Sequence, residues 1–109
     1  MGREAEANEA MDKAIKKPDA TVGAIHQFAK TLLAAGKKEK AMEIFRYNAQ
    51  QHPEDKFTTN VGLARGYTAM DDKKNAIKHW ELGIKNIPDS QKSFIATYEG
   101  ELKKVKEGK

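Results

Sequence analysis

An all-α fold of about six helices, most of them joined in hairpins, is predicted by three observations on the 109-residue chain. Its three prolines, Pro18, Pro53 and Pro88, stand at two successive intervals of 35 residues, in "KKPDA", "QHPED" and "NIPDS". Apolar residues between them recur at i, i+3, i+4 and i+7, the face of a 3.6-residue period. No stretch alternates with period two for long enough to suggest a strand. With 39% hydrophobic and 33% charged residues and a mean hydropathy of -0.79, the chain has enough apolar material for one modest core under a wet surface. The length fits a single domain, 1–109.

Residues 3–16 carry Ala7, Ala10, Met11, Ala14 and Ile15 on one face and read as a lone helix ending before Pro18. The next helix, 21–35, places Ile25, Phe28, Ala29 and Leu32 inward. It is followed by 38–51, with Ala41, Ile44, Phe45 and Ala49 inward. The linker "AGKKEK" permits only a tight turn, and Gly36 takes the left-handed conformation that ends a helix. After Pro53 come 57–70 and 73–86, the latter facing inward with Ala76, Ile77, Trp80 and Ile84. Asp71 stands where the first turn has Gly36 and tolerates that conformation less well, so the second turn is expected to differ. The last helix, 91–106, has Phe94, Ile95, Tyr98, Leu102 and Val105 on one face and lysines and glutamates on the other. Proline ends each hairpin because it lacks an N–H and pushes its predecessor out of the α region. The polar residues behind it (Asp19 or Thr21, Asp55, Asp89 or Ser90) are expected to cap the following helix.

Residues 22–53 and 57–88 align as two repeats. The first reads Ile25-x2-Phe28-Ala29-x2-Leu32, then Ala41-x3-Phe45 and Pro53; the second reads Asn60-x2-Leu63-Ala64-x2-Tyr67, then Ala76-x3-Trp80 and Pro88. This pattern resembles the tetratricopeptide repeat, W-x2-L-G-x2-Y…A-x3-F…P over about 34 residues. The resemblance implies a right-handed α-α superhelix of such hairpins, with the first helix of each lining a concave groove. It also makes 3–18 the second half of a preceding repeat and 91–106 a capping helix. Asn60 departs from the family's bulky apolar residue, either loosening the packing or pointing a polar group at a ligand. Asn48 occupies a site that is usually small, as Gly83 is, and each interval is one residue longer than usual, absorbed near Lys56. The run "GREAEANEAMDKAI…LLAAGKKEKAMEIF…NVGLARGY" further resembles the C-terminal repeats of certain exported Bacteroidetes proteins, in which a β-rich domain of unknown function comes first.

On that fold, the groove stripe of the first hairpin is His26, Lys30 and Leu33, and that of the second is Val61, Arg65 and Thr68, with Gln27 beside them. Lys30 and Arg65, 35 residues apart, become neighbours along the groove. Two cations among small and apolar residues suit an acidic side chain or a terminal carboxylate of an extended peptide. The expected peptide-binding residues are therefore His26, Gln27, Lys30, Val61, Arg65 and Thr68, on a non-catalytic protein- or peptide-binding scaffold. The family's chaperone-tail clamp is not expected, because His26, Lys30 and Gly62 stand where its lysine and first two asparagines would. The alternative is a structural or dimerisation module, docked on an upstream domain or a second copy, of a larger exported protein with no peptide ligand.

Other classes find little support. No cysteine is present, the three histidines lack metal-ligand spacing, and no glycine-rich phosphate loop follows a strand, so no metal, cofactor or catalytic residue is expected. Gly62 and Gly66 read as a close helix contact or an open groove floor. The net charge of +4 is spread among 16 acids, unlike the concentrated basic surface of a nucleic-acid binder. No apolar run approaches the roughly 18 residues of a membrane span. The acidic, alanine-rich start "MGREAEANEAM" has no signal-peptide core, which leaves the compartment open, and an exported or periplasmic site is expected if the chain comes from a longer protein.

Overall fold

The computed structural model describes Lys16 and residues 20–108. Among the described residues are five α-helices: α1 (Val22–Ala34), α2 (Lys38–Gln51), α3 (Thr58–Ala69), α4 (Lys73–Lys85) and α5 (Ile95–Lys106). A 3-10 segment, Asp89–Phe94, precedes α5, and there is no strand among these residues. The helix expected over 3–16 and the Asp19 cap lie outside them. The first four helices fall within one residue of their expected limits. The last starts at Ile95 rather than 91, because the chain after Pro88 turns tightly, with the Gln91 N–H donating to the Pro88 carbonyl at 2.9 Å. Neither Asp89 nor Ser90 caps a helix there; Asp89 instead pairs with Lys92 at 2.8 Å.

The other two caps are as expected. Thr21 accepts from the Ala24 N–H at 3.1 Å to start α1, and an Asp55 carboxylate oxygen accepts from the N–H groups of Phe57 and Thr58 at 3.0 and 2.7 Å just before α3. Both hairpins close on the same turn. Gly36 has φ 81° and Asp71 φ 61°, and in each case the next residue's N–H reaches back five residues, Lys37 to Leu32 and Asp72 to Tyr67, both at 2.9 Å. The expected difference between the turns is therefore absent in backbone and present in chemistry. Lys37 makes no side-chain cap on α2, whereas Asp72 accepts from the Asn75 N–H at 3.3 Å and the Asn75 side-chain amide at 2.8 Å. The second hairpin tolerates a strained Asp71 beside a well-made cap. Replacing Asp71 by Gly is expected to stabilise the protein by about 0.5–1 kcal/mol, measured by urea unfolding, since only glycine adopts that φ without cost.

Helix α1 packs on α2 and α3 on α4; α3 also packs against α1 and α2, and α5 against α4. Two apolar clusters result, one of Ile25, Phe28, Leu32, Ile44 and Phe45 with two alanines, the other of Val61, Ala64, Ala76, Trp80 and Val105. Residues 35 apart are buried alike: Ala29 with Ala64, Ala41 with Ala76, Phe45 with Trp80. Alanine at these points lets the helices of a hairpin approach, and the aromatic ring fills the space beside it.

Gly62 and Gly66 make a close contact rather than a groove floor. A Cβ on Gly62 would lie 2.6 Å from Cδ1 of Phe45, and one on Gly66 would strike Sδ of Met42. Asn48 is buried and donates its amide to the Val22 carbonyl at 3.1 Å, tying α2 to the start of α1. The polar atoms of Asn60 are engaged within the chain. Its amide donates to the Lys56 carbonyl at 2.7 Å, and its Oδ1 meets Nδ1 of His79 at 2.8 Å.

Candidate functional site: a basic groove across α1, α3 and α5

Because α1 and α3 lie side by side, residues in corresponding positions of the two helices line one concavity. His26, Lys30, Val61 and Arg65 border a cavity of about 460 Å³. Lys30 and Arg65 also border a second, of about 300 Å³, together with Leu33, Thr68, Ala69 and Trp80. The two cavities thus share Lys30 and Arg65. Of the six expected residues, Gln27 alone lines neither; it is exposed beside the groove. Thr68 is present but its hydroxyl is already engaged, donating to the Ala64 carbonyl at 2.7 Å and accepting from the Trp80 indole at 3.1 Å.

Among the described residues the two cations, Lys30 and Arg65, have no ion-pair partner, and Glu101, which lines the smaller cavity with them, pairs instead with Lys104 at 3.8 Å. The Arg65 guanidinium lies 5.7 Å from the centre of the Trp80 ring, a cation–π contact that orients it without neutralising it. Its Nε is buried with no hydrogen-bond partner, as is Nδ1 of His26. Buried polar groups normally have partners, and these two, sealed behind the groove's surface, have none within the protein.

His26 is held between these charges. Its ring sits 5.5 Å from that of Phe45, and burial, followed by the nearby Arg65 and Lys30, lowers its pKa from 6.5 to about 4; Asp55 opposes the shift. At neutral pH it is therefore an uncharged imidazole, able to donate from one nitrogen and accept at the other. Between pH 6.5 and about 4 the unfolded chain binds the proton that folded His26 refuses, so stability is full above 6.5 and is lost as pH falls through that window. The loss from this residue amounts to at most about 3 kcal/mol. His79, also lowered by burial and then by Lys78, acts in the same sense. Urea unfolding at a series of pH values is expected to show a slope that His26→Gln largely removes.

Sequence reasoning missed the third wall. The 3-10 segment and α5 contribute Gln91, Phe94, Thr97 and Tyr98 to the larger cavity, and Phe57 and Thr58 close its end. Phe94 and Tyr98 were placed on the inward face of the last helix, and only Tyr98 packs against the second apolar cluster.

A still larger concavity, about 710 Å³, lies between α4 and α5 on another face. It is an open trough over Ile84, Gly100 and Leu102, rimmed by three lysines and three glutamates, with Lys106 and Glu81 3.6 Å apart. Its charges balance and no orphaned polar group faces it, so size alone does not make it the better site. Among the described residues no group of three or more His, Cys, Asp or Glu could hold a metal ion, and no helix is long and apolar enough to cross a membrane. No family model, curated protein or solved structure matches the chain.

Proposed function

We propose that the chain is a tetratricopeptide-like domain, two hairpins of a right-handed superhelix with a capping helix. Its groove binds a protein or peptide segment bearing a carboxylate and catalyses no reaction. The reading is carried by Lys30 and Arg65, two cations that share both cavities and make no ion pair among the described residues. A carboxylate seated there faces both positive charges. Each such charge-assisted bond contributes about 1.5–3 kcal/mol.

The test is an NMR titration with a library of acidic and C-terminal peptides. Shift changes are expected at His26, Lys30, Val61 and Arg65, and Lys30→Glu is expected to weaken binding at least about 10-fold. Lys30 is the better residue to reverse, because Arg65 also packs on Trp80 and its loss would disturb the core. If no peptide perturbs the groove while light scattering finds a dimer, the domain is a docking module, and the apolar trough between α4 and α5 is the face to examine.

A further inference from the structure

The groove's walls differ in chemistry: α1 and α3 bring Lys30 and Arg65, whereas the third, from the 3-10 segment and α5, is aromatic. Sharing the 460 Å³ cavity with Lys30 and Arg65 is Phe94, 47% exposed, the more exposed of the two large apolar side chains left open to solvent among the described residues. It is the outer end of a chain of rings. Phe94 lies 6.4 Å from Tyr98, and Tyr98 lies 5.9 Å from both Phe57 and the buried Trp80. Trp80 in turn carries the Arg65 guanidinium on its face. A continuous series of ring contacts therefore runs from the Arg65 guanidinium to Phe94. The 460 Å³ between them lies within the ~300–1,000 Å³ range of small-ligand sites, room for a large side chain beside a carboxylate and too little for a folded surface.

We infer that the groove selects segments in which a carboxylate adjoins an aromatic or large aliphatic side chain, the carboxylate meeting Lys30 and Arg65 and the apolar group lying against Phe94 and Tyr98. This rests on the peptide-binding reading above and narrows its ligand. A purely acidic peptide would leave the Phe94 face in water, and a purely apolar one would bury two cations without a counter-charge, which is costly. A segment carrying both groups removes both penalties. Its carboxylate is either a chain terminus or an Asp side chain next to the ring, and the shared chemistry is the same.

Four N-acetylated alanine-based hexapeptides separate the possibilities by fluorescence or NMR titration of the intact chain. They end in Phe with a free carboxylate, in Phe amide, in Ala with a free carboxylate, or in Asp-Phe amide. The free-carboxylate Phe peptide, the Asp-Phe amide, or both are expected to bind about 10-fold more tightly than the Phe amide or the Ala acid, and the tighter of the two names the source of the carboxylate. Phe94→Ala, at an exposed position that leaves the core intact, is expected to equalise the Phe and Ala acids while preserving weak carboxylate binding. Equal affinity of the Phe and Ala acids for the unaltered protein overturns the inference and leaves the carboxylate groove standing. Equal affinity of the Phe acid and the Phe amide, with the Asp-Phe amide binding no tighter, overturns the carboxylate half. Binding of none of the four overturns both the inference and the peptide-binding reading.

Discussion

Trp80→Ala is expected to destabilise the protein by about 3–5 kcal/mol, a fall in Tm of roughly 15–25 °C by circular dichroism. Trp80 is 1% exposed and joins three helices. From α4 its ring packs with Val61 and Ala64 of α3 and Val105 of α5, and stacks on Tyr98 at an interplanar angle of 29°. Its indole N–H donates to Thr68, and its face supports Arg65. Truncation leaves a cavity at the meeting point of these elements, and the surroundings collapse only in part. Against a total stability of about 5–15 kcal/mol for a small domain, that loss brings the protein near unfolding. Trp80→Phe separates packing from polar contacts. It keeps most of the ring volume, and because Thr68 still donates to Ala64, it is expected to cost only about 1–2 kcal/mol. Equal effects of the two substitutions would show that the indole hydrogen bond outweighs ring volume.

The helices were legible because the chain repeats its own chemistry. Alanine at 29 and 64, alanine at 41 and 76, and a ring at 45 and 80 are enough to fix which faces meet, and all six side chains are fully buried. The turn at Asp71 was not legible from propensity. A left-handed aspartate looks unfavourable alone, but the hydrogen bond from Asp72 to Tyr67 and the Asp72 cap on Asn75 hold the hairpin closed around it. Tertiary geometry overrode the local preference. In the groove, the i, i+4 spacing of His26 and Lys30 and of Val61 and Arg65 located two walls. The third was hidden because a stripe of period 3.6 says which residues share a face, not which edge of that face lacks a neighbour. Phe94 lies on the groove side, at the junction of the 3-10 segment with α5, where such an edge is left open. Asn60 illustrates the opposite case. An anomalous polar residue left open looser packing or a ligand, and its Oδ1 is met by the chain's own His79, stacked 5.4 Å from Tyr67.

Phe45→Ala is expected to cost about 3–5 kcal/mol in chemical unfolding, and its value lies in how it changes the cost of a second substitution. Phe45 is 1% exposed and fills the space that a Cβ on Gly62 would need, with Cδ1 at 2.6 Å and Cε1 at 3.0 Å. In the unaltered protein Gly62→Ala gains about 1 kcal/mol of helix propensity but forces a locked ring to move, so it is expected to destabilise by about 1–2 kcal/mol net. With Phe45 already reduced to Ala the methyl enters the cavity, and Gly62→Ala becomes neutral or stabilising by up to about 1 kcal/mol. Should Phe45→Ala prove too unstable to measure, Phe45→Leu gives the same cycle with smaller terms. An identical cost of Gly62→Ala in both backgrounds would show that the approach of α2 to α3 is not what requires glycine. The cycle also reaches the groove. The same missing Cβ would lie 3.1 Å from Nδ1 of His26, so Phe45 and Gly62 together set the pocket that keeps His26 desolvated. Loosening that pocket admits water, and an NMR titration of Phe45→Leu is expected to find the His26 pKa moved from about 4 back toward 6.5. The close helix contact and the neutral imidazole are then one device, since the packing that joins the two hairpins also keeps His26 uncharged between Lys30 and Arg65.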